Sequence, residues 1–421
     1  MKIKGYWDSR IRKGILFIIM LLMVLPQTDK TVGSNATVIR LIQVFQLCMI
    51  GYVALKRGLH PNPYIAALLI FELEFMISAV YNRTEVLPFA IMALPVVSLV
   101  LFSDYQMRKN PREFLVGAIA AMELYGTIHL LMVLGGKPLY IESHMGEVFF
   151  LGSDNQATSF YLCLTILCVI ESFMYGINLL TIYGIAISVF TAFYSECGTA
   201  MMVYLIVVIT YILGRIPYFR RILYKITNYR TFIVLYIIYS VFVFLAPIIM
   251  RTGPIANIVY SVTGKTMDFT ERSEIWRIAL ALIQGNPVFG IGYGEGGNGI
   301  YYKGWYFGAH NQVLQWAVYG GILSVALFLL VLCLSVKRTE KIRSLPRYFI
   351  LFTLFGYLVA MSMEICSHGL HLFFLLNVIY NIPGCPDERS RRILHAAKGR
   401  QKDSEGNKHE FLEDFGHYRM L

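Results

Sequence analysis

The feature that most constrains the fold of this chain is a series of long apolar runs from which charged side chains are almost absent. A helix needs roughly 20 apolar residues to cross a bilayer core of about 30 Å, and most of the runs approach that length. They lie near residues 14–26, 37–55, 64–81, 86–103, 114–135, 156–172, 174–194, 199–214, 231–250, 311–335, 348–366 and 369–380. The sequence therefore predicts an all-α integral membrane protein with about 12 transmembrane helices, of which the first and last are the shortest.

Composition supports this class of protein and excludes others. Hydrophobic residues make up 57% of the chain and charged residues only 15%, whereas a soluble globular domain carries about 25% charged residues. A net charge of +11 would indicate nucleic-acid binding in a soluble protein. Here the basic residues lie at the ends of apolar runs, so we interpret them as determinants of topology and expect no nucleic-acid partner. The seven cysteines form no CxxC pair, which predicts buried thiols rather than a metal site or disulfides.

The distribution of lysine and arginine predicts which helix ends face the cytoplasm. If the N-terminus is cytoplasmic, the segments on that side hold 28 of the 37 basic residues and the outer segments hold 8. Joining 156–194 into one span would instead move the basic clusters at 215–230 and 337–347 outside. The charges therefore favour a hairpin around Glu171–Gly176, with both termini in the cytoplasm.

These assignments divide the chain into a membrane part and a tail. Residues 1–385 are predicted to form one polytopic membrane domain, and residues 386–421 a polar, flexible cytoplasmic tail. One long segment between the predicted helices lies away from the termini, and this outer loop covers residues 251–310. The cell membrane is therefore the expected location, with the outer loop on the extracytoplasmic side.

Two phosphate-binding motifs in the outer loop can be excluded. Gly264-Lys265-Thr266 looks like the end of a P-loop, but Val259 occupies the position where that motif requires its first glycine. The match of Gly292–Gly297 to GxGxxG follows no predicted strand. Neither motif therefore indicates a nucleotide-binding fold.

The rest of the outer loop has the pattern of an interfacial helix followed by a glycine-rich turn. Residues Arg272–Gln284 show helical spacing, and Trp276 and Arg277 fit a helix that lies at the membrane surface. Its apolar stripe comprises Ile275, Ile278, Ala279, Leu282 and Ile283. Asn286-Pro287 ends the helix. Glycines at 290, 292, 294, 296 and 297 allow the chain to approach a ligand closely.

His310-Asn311 then opens the next predicted span, where a helix N-terminus favours anions. Two arginines, Lys303 and His310 are thus expected at the outer edge of the membrane. Each residue alone also fits a plain structural role, because loop cations are commonly solvated and a histidine at a span end is commonly interfacial.

In combination these motifs resemble the O-antigen ligase/polymerase (Wzy/WaaL-like) family. The resemblance is carried by Arg272 and Trp276, the stretch Gly285–Gly292 (GNPVFGIG), His310-Asn311 and the following Gly320-Gly321-Ile322. The stretch Gly152–Asn155 is also similar to a family element. One departure is clear: the family's Ser-Arg pair after the hairpin is absent from Ser195–Thr199. Three cations are candidates to replace that arginine, namely Arg251, Lys265 and Arg277.

The resemblance implies transfer of a glycan from undecaprenyl diphosphate to a sugar hydroxyl, without a metal or cofactor. In that reaction Arg272 would stabilise negative charge on the leaving diphosphate, since guanidinium matches phosphate geometry. His310 would act as the general base, or alternatively bind the diphosphate as a cation. The residues predicted to bind substrate are Arg277, Lys303, Asn311, Trp276 and Gly292. The lipid bilayer, a flippase and a chain-length regulator are the other implied partners.

Several functions stay open at this point. We favour a polymerase of capsule, exopolysaccharide or O-antigen-like repeats, because the family's polymerases are diverse in sequence and the outer loop is modest in length. A ligase that moves the glycan to a lipid or protein acceptor is the alternative within the family. A transporter or flippase fits twelve spans with cytoplasmic termini, although the chain shows no repeated halves. A non-catalytic membrane subunit would explain the missing Ser-Arg pair.

Carboxylates inside the apolar runs form a separate group of candidates. Such residues are costly in a membrane and usually face a cavity or a partner. They are Glu72, Glu74, Glu123, Glu171 and Glu364. Two interpretations are open: a charge-paired cavity for the lipid diphosphate that involves Arg40, or a structural intramembrane ion pair.

Overall fold

The structure is a computed structural model, and it describes residues 2–25, 36–57, 61–142, 146–195, 197–249, 270–294, 299–342, 344–363 and 365–384. Several predictions fall outside the described residues. These concern the tail at 386–421, the cations Arg251 and Lys265, the glycines 296 and 297, and the carboxylate Glu364.

Within the described residues the regular secondary structure is helical apart from two short hairpins, which confirms the predicted all-α class. Every predicted apolar run overlaps one of the helices. The elements are α1 (Lys2–Val24), α2 (Ala36–Arg57), α3 (Pro63–Tyr81), α4 (Leu87–Lys109), α5 (Pro111–Leu134), β1 (Tyr140–Glu142), β2 (Gly146–Val148), α6 (Asp154–Tyr175), α7 (Leu179–Tyr194), α8 (Gly198–Arg215), α9 (Pro217–Ile226), α10 (Tyr229–Ile249), α11 (Thr270–Gly285), β3 (Ile300–Tyr302), β4 (Trp305–Phe307), α12 (Gln312–Arg338), α13 (Ser344–Met361) and α14 (Leu370–Asn381). Short 3₁₀ turns follow α12, precede α14 and follow α14, at Thr339–Lys341, Ser367–Gly369 and Ile382–Gly384.

Length and composition mark several of these helices as membrane spans. In the described part of the chain, six are long and apolar enough to cross a bilayer, and they correspond to α2, α3, α4, α5, α6 and α12. Helices α8 and α9, bent by 118° at their junction, would together make a seventh. Helices α7, α10, α13 and α14 are shorter but apolar. The protein is therefore a multi-pass membrane protein, and the count of twelve spans and their orientation remain predictions.

Two helix boundaries follow directly from local sequence. Helix α6 ends at Tyr175 and α7 begins at Leu179, where the charges favour a hairpin. Asn178 caps α7 by accepting a hydrogen bond from the Thr181 N–H at 3.1 Å. Helix α8 turns sharply into α9 because Pro217 disfavours helical geometry at Ile216, whose backbone is extended. Helix α9 was not predicted.

Helix α14 lies at the centre of the molecule. All of its residues are buried, and it packs against α4, α6 and α12. A helix that is apolar on every side is stable when other helices surround it. The shortest predicted span is therefore an inner helix of the bundle, which explains why its run is short and lacks a polar face.

Helix α12 is broken at Gly321, whose φ of 66° and ψ of −161° interrupt the helical ladder. The break leaves the carbonyls of Val318 and Tyr319 without helical partners. The N–H groups of Ile291 and Gly292 donate to them at 2.9 and 3.0 Å. On the other side of the break, the Ile322 N–H donates to the Pro287 carbonyl at 2.8 Å.

The stretch Asn286–Tyr293, here called the inserted segment, thus closes the break in α12. Helix α3 holds its other side. The single hydroxyl proton of Ser78 is shared between the carbonyls of Phe289 and Tyr319, and Asn82 Nδ2 donates to the Gly290 carbonyl at 3.1 Å. Irregular backbone at membrane depth is tolerated only where protein satisfies its polar groups. The inserted segment meets that condition.

We expect Gly321→Ala to destabilise the protein, because its Cβ would meet the Val288 carbonyl oxygen and lie 2.7 Å from the Gly290 nitrogen, at a positive φ. The expected loss is about 1–3 kcal/mol, measured as a lower thermal unfolding temperature in detergent. Gly51→Ala on α2 is the matched control, since a Cβ there meets nothing within 4 Å. Equal stability of the two variants would contradict the role of the inserted segment.

Candidate functional site

The predicted site is organised by a tryptophan that joins the outer-loop helix to the start of α12. Trp276 is buried, and its Nε1 donates a hydrogen bond of 2.7 Å to the carbonyl of Ala309. Helix α11 carries Arg272 one turn before Trp276, and His310 follows Ala309 directly. A single buried hydrogen bond therefore links the two helix regions that hold the candidate catalytic residues.

An apolar cluster, here called the loop core, fixes α11 against α12. Its side chains come from α10, α11, β3 and the first half of α12, and it is separate from the main core of the bundle. The buried members are Val243, Ile275, Trp276, Ala279, Ile300, Ala309, Leu314 and Val318. Ile275, Ala279 and the partly buried Ile278, Leu282 and Ile283 form the stripe that the sequence predicts for an amphipathic helix. The loop helix is thus packed on the protein along that stripe.

The start of α12 is held by its own polar residues. Asn311 caps the helix by accepting a hydrogen bond of 3.0 Å from the Leu314 N–H. Gln315 Oε1 accepts from the Ala309 N–H at 2.7 Å. His310 is half-buried and has a φ of 46°, a left-handed conformation that is uncommon for residues other than glycine and often marks functional sites.

A third element of the site is the turn Ser362–Gly369 between α13 and α14. Arg272 Nη1 donates to the Met363 carbonyl at 2.9 Å. Gln312 Oε1 accepts from the Cys366 N–H at 2.7 Å. The arginine and the start of α12 are therefore both attached to this turn, which sequence analysis did not include in the site.

His368 in the same turn pairs with one of the buried carboxylates. Its Nε2 lies 2.9 Å from Glu72 Oε2, and both side chains are buried. The imidazole packs among Phe71, Phe75 and Trp316. The sequence singled out Glu72 but not its partner, because nearly 300 residues separate the two in the chain. Arg40, the partner considered, is exposed on α2.

Glu74 occupies a second buried position close to the break in α12. Its carboxylate lies against Gly320, where an added Cβ would come within 2.8 Å of Oε1. Within the described residues neither carboxylate oxygen of Glu74 has a hydrogen-bond partner. Position 320 therefore requires glycine, because any larger side chain would collide with the Glu74 carboxylate.

Of the seven predicted site residues, Trp276, His310 and Asn311 meet at the start of α12, and Arg272 is linked to it through the turn that also binds Gln312. Gly292 lies in the inserted segment, where its N–H binds the Tyr319 carbonyl and its Cα faces Thr84 on the α3–α4 turn. A Cβ added at Gly292 would meet Thr84 Oγ1 and the Cα of Ala79, so the residue's close neighbours are parts of the protein itself.

The two remaining predicted residues lie on the surface of the loop. Arg277 pairs with Glu274 on the same helix at 2.8 Å, and its side chain is 72% exposed. Lys303 lies at the tip of the β3–β4 hairpin with a φ of 48°, and its Nζ is 5.1 Å from the centre of the Tyr302 ring. Both cations therefore lie on the exposed surface of the protein, and a ligand would reach them there rather than in a buried pocket.

The stretch that lacks the family's Ser-Arg pair connects α7 to α8. Cys197 occupies the position before the first residue of α8, and its Sγ lies 3.3 Å from Thr158 Oγ1. Glu196 is outside the described residues. Of the three candidate replacement cations, the structure describes only Arg277.

Among the described residues there is also no group of three or more His, Cys, Asp or Glu side chains that could hold a metal ion.

We expect Glu72→Ala to lower stability by about 1–3 kcal/mol, because it leaves the buried His368 imidazole without its partner. Glu72→Gln retains a hydrogen-bonding side chain and should lose less. Leu73→Ala is the matched control, since Leu73 is exposed on the same helix. Thermal unfolding of the purified variants measures the order, and a Glu72→Ala protein as stable as the parent would contradict the pairing.

The comparisons with known proteins bear on this site. A family model described as O-antigen ligase matches residues 183–329, which run from α7 through the outer loop into α12. The match covers less than half of the chain and includes the inserted segment, the loop core and the start of α12. It confirms the resemblance to the O-antigen ligase/polymerase family. No curated protein matches the chain.

Proposed function

We propose that this protein polymerises oligosaccharide repeats by transferring a glycan from undecaprenyl diphosphate to a sugar hydroxyl at the outer face of the cell membrane. The family match supports an enzyme of the O-antigen ligase/polymerase type, which performs glycosyl transfer on a lipid-linked glycan. The donor, the polymerisation and the side of the membrane are our proposal. The observation that carries it is the Trp276–Ala309 hydrogen bond, which ties the helix of Arg272 to the residue before His310.

The chemistry of the donor explains the need for a fixed cation. Breaking the bond between the sugar and the diphosphate leaves negative charge on phosphate oxygens, and a positioned guanidinium stabilises that charge. Arg272 is the candidate because its helix is packed by the loop core and its Nη1 is anchored to the Met363 carbonyl. An anchored guanidinium needs little reorganisation when charge develops.

The acceptor hydroxyl must lose its proton as the new bond forms. In our proposal His310 accepts that proton, and its alternative role is to bind the diphosphate as a cation. The left-handed backbone at His310 supports a positioned imidazole, because Asn311 caps α12 immediately after it and Gln315 binds Ala309 before it. No metal takes part in the proposed reaction.

Four of the five residues predicted to bind substrate fall into two groups by the exposure of their side chains. Trp276 and Asn311 are buried, which suits them to position Arg272 and His310. Arg277 and Lys303 are exposed, which suits them to meet the diphosphate or the glycan as they approach. Gly292 is assigned to the substrate site only through its place beside the break in α12.

The β3–β4 hairpin supports a sugar substrate in particular. Its exposed side chains include Tyr301, Trp305 and Tyr306, and the Tyr301 and Tyr306 ring centres lie 5.1 Å apart. Exposed aromatic rings can stack on the apolar faces of sugar rings while their polar atoms reach hydroxyls.

A ligase acting on a lipid or protein acceptor would use the same site, and the length distribution of the product separates it from a polymerase. A flippase and a chain-length regulator are the expected partners.

We expect His310→Ala and Arg272→Ala each to abolish chain growth in cells while the protein still inserts into the membrane. A general base contributes typically ~10²–10⁴-fold and one charge-stabilising donor ~10²–10³-fold, so polymer should fall below detection. Gel analysis of surface polysaccharide, with immunoblotting of membranes, measures both quantities.

Two further variants serve as controls in that assay. Arg277→Ala should cause a much milder loss, because this cation is exposed and paired with Glu274. Lys225→Ala removes an exposed cation from α9, a helix that contributes no residue to the loop core, and it should leave polymer length unchanged. Normal polymer length in both the His310 and Arg272 variants would overturn the proposed site.

The orientation can be tested by cysteine labelling in intact cells. A membrane-impermeant maleimide should label Tyr301→Cys, because the outer loop is proposed to be extracytoplasmic. Lys341→Cys, after α12, should be labelled only once the membrane is permeabilised. Both positions are exposed, and the parent protein gives the background from its own cysteines. The reverse pattern would invert the topology.

A further inference from the structure

A cavity of about 360 Å³ lies between α1, α2 and α4, at the end of the bundle where basic residues collect. Helix α1 packs mainly on α5 and α2 mainly on α4, and few contacts join α1 to α2. The gap between α1 and α2 is therefore open, with α4 as its floor. We call it the basic groove.

Cations and hydroxyl groups surround the mouth of the basic groove. Arg12 from α1 and Lys109 from the end of α4 line it, together with Tyr52 and Gln106. Lys109 Nζ donates to the Tyr105 hydroxyl at 3.1 Å, and Lys56 lies within electrostatic range of the same hydroxyl. Positive charge and hydrogen-bonding groups at one mouth fit a phosphate-bearing headgroup.

The inner walls of the basic groove are apolar, and so is the surface around it. Leu16, Ile19, Met49 and Phe102 line the interior. Helix α2 is the least buried of the six long apolar helices, so its outer surface faces lipid. A free inorganic anion would gain nothing from these walls, whereas an acyl chain attached to the headgroup would be buried by them.

The basic groove lies at the opposite end of helix α3 from the inserted segment. Asn62, which caps the start of α3, donates to Asp104 Oδ1 at 2.7 Å, next to Arg108 and Lys109. Asn82, after the end of α3, binds the inserted segment. Twenty helical residues span about 30 Å, so the two regions are a bilayer core apart.

We propose that the basic groove binds an anionic phospholipid, with its phosphate between Arg12 and Lys109 and the start of an acyl chain along the apolar walls. Basic pockets between transmembrane helices on the cytoplasmic side are a known way of binding anionic headgroups. The volume falls in the usual range of small-molecule pockets, about 300–1,000 Å³, which suits a headgroup and the first part of one chain. This site is independent of the glycosyl-transfer proposal.

The test uses the purified full-length protein in a neutral detergent, titrated with phosphatidylglycerol or phosphatidylcholine and followed by native mass spectrometry. The parent should retain phosphatidylglycerol in preference to phosphatidylcholine. The double variant Arg12→Ala/Lys109→Ala should bind phosphatidylglycerol ~30-fold more weakly, from the usual contribution of two cations near a lipid surface.

Matched variants separate a site from general surface charge. Arg220→Ala/Arg221→Ala removes two exposed cations from α9 and should change the affinity little. Ile15→Trp, which fills the groove without changing charge, should weaken binding, whereas Ile18→Trp, an exposed position on α1 that does not line the groove, should not. The tryptophan pair decides the outcome if the double alanine variant does not fold.

Three results would overturn the proposal. The first is equal weakening in the α9 variant and the groove variant, which would indicate general electrostatic attraction. The second is equal retention of phosphatidylcholine, which would remove the role of the cations. The third is displacement of the bound lipid by inorganic phosphate at matched concentrations, which would identify a phosphate site without a lipid.

Discussion

The structure of the candidate site depends on one set of hydrogen bonds, those that close the break in α12. Gly321 interrupts the helix, and the inserted segment supplies the N–H groups that Val318 and Tyr319 require. An open break in an apolar bundle would leave several backbone groups unsatisfied, each at a cost of several kcal/mol. Because the inserted segment is fixed in this way, helix α11 before it has a defined position, and so do the loop core and the start of α12.

The elements predicted from the sequence were those with strong local signals. Long apolar runs predict the helices, the stripe Ile275–Ile283 predicts α11, and Asn311 is a common capping residue. The glycines of the inserted segment also indicate a chain that can approach another group closely, but they do not indicate which group it approaches. Gly290 and Gly292 approach the backbone of α12 and the end of α3, and sequence alone cannot tell whether a flexible, closely approaching chain will meet a ligand or a neighbouring helix.

Contacts between residues distant in sequence also limit how much of the site can be predicted. Glu72 stands out in the sequence because carboxylates are rare in apolar runs, whereas its partner His368 comes from the other end of the chain and carries no local signal. The predicted runs 348–366 and 369–380 assign most of Ser362–Gly369 to two spans and leave only residues 367–368 as a connection. In the structure it accepts a hydrogen bond from Arg272, donates one to Gln312 and carries His368. Such a role becomes visible only when helices distant in sequence are placed side by side.

The outer loop is held at two places, at the inserted segment and at the Trp276–Ala309 bond, and the chain between them includes the β3–β4 hairpin with its exposed aromatic rings. Exchanges confined to the exposed side chains Tyr301, Trp305 and Tyr306 would leave both anchors and the buried loop-core residue Ile300 in place. The tip of the hairpin can thus change its surface chemistry while the elements that hold it keep the same fold.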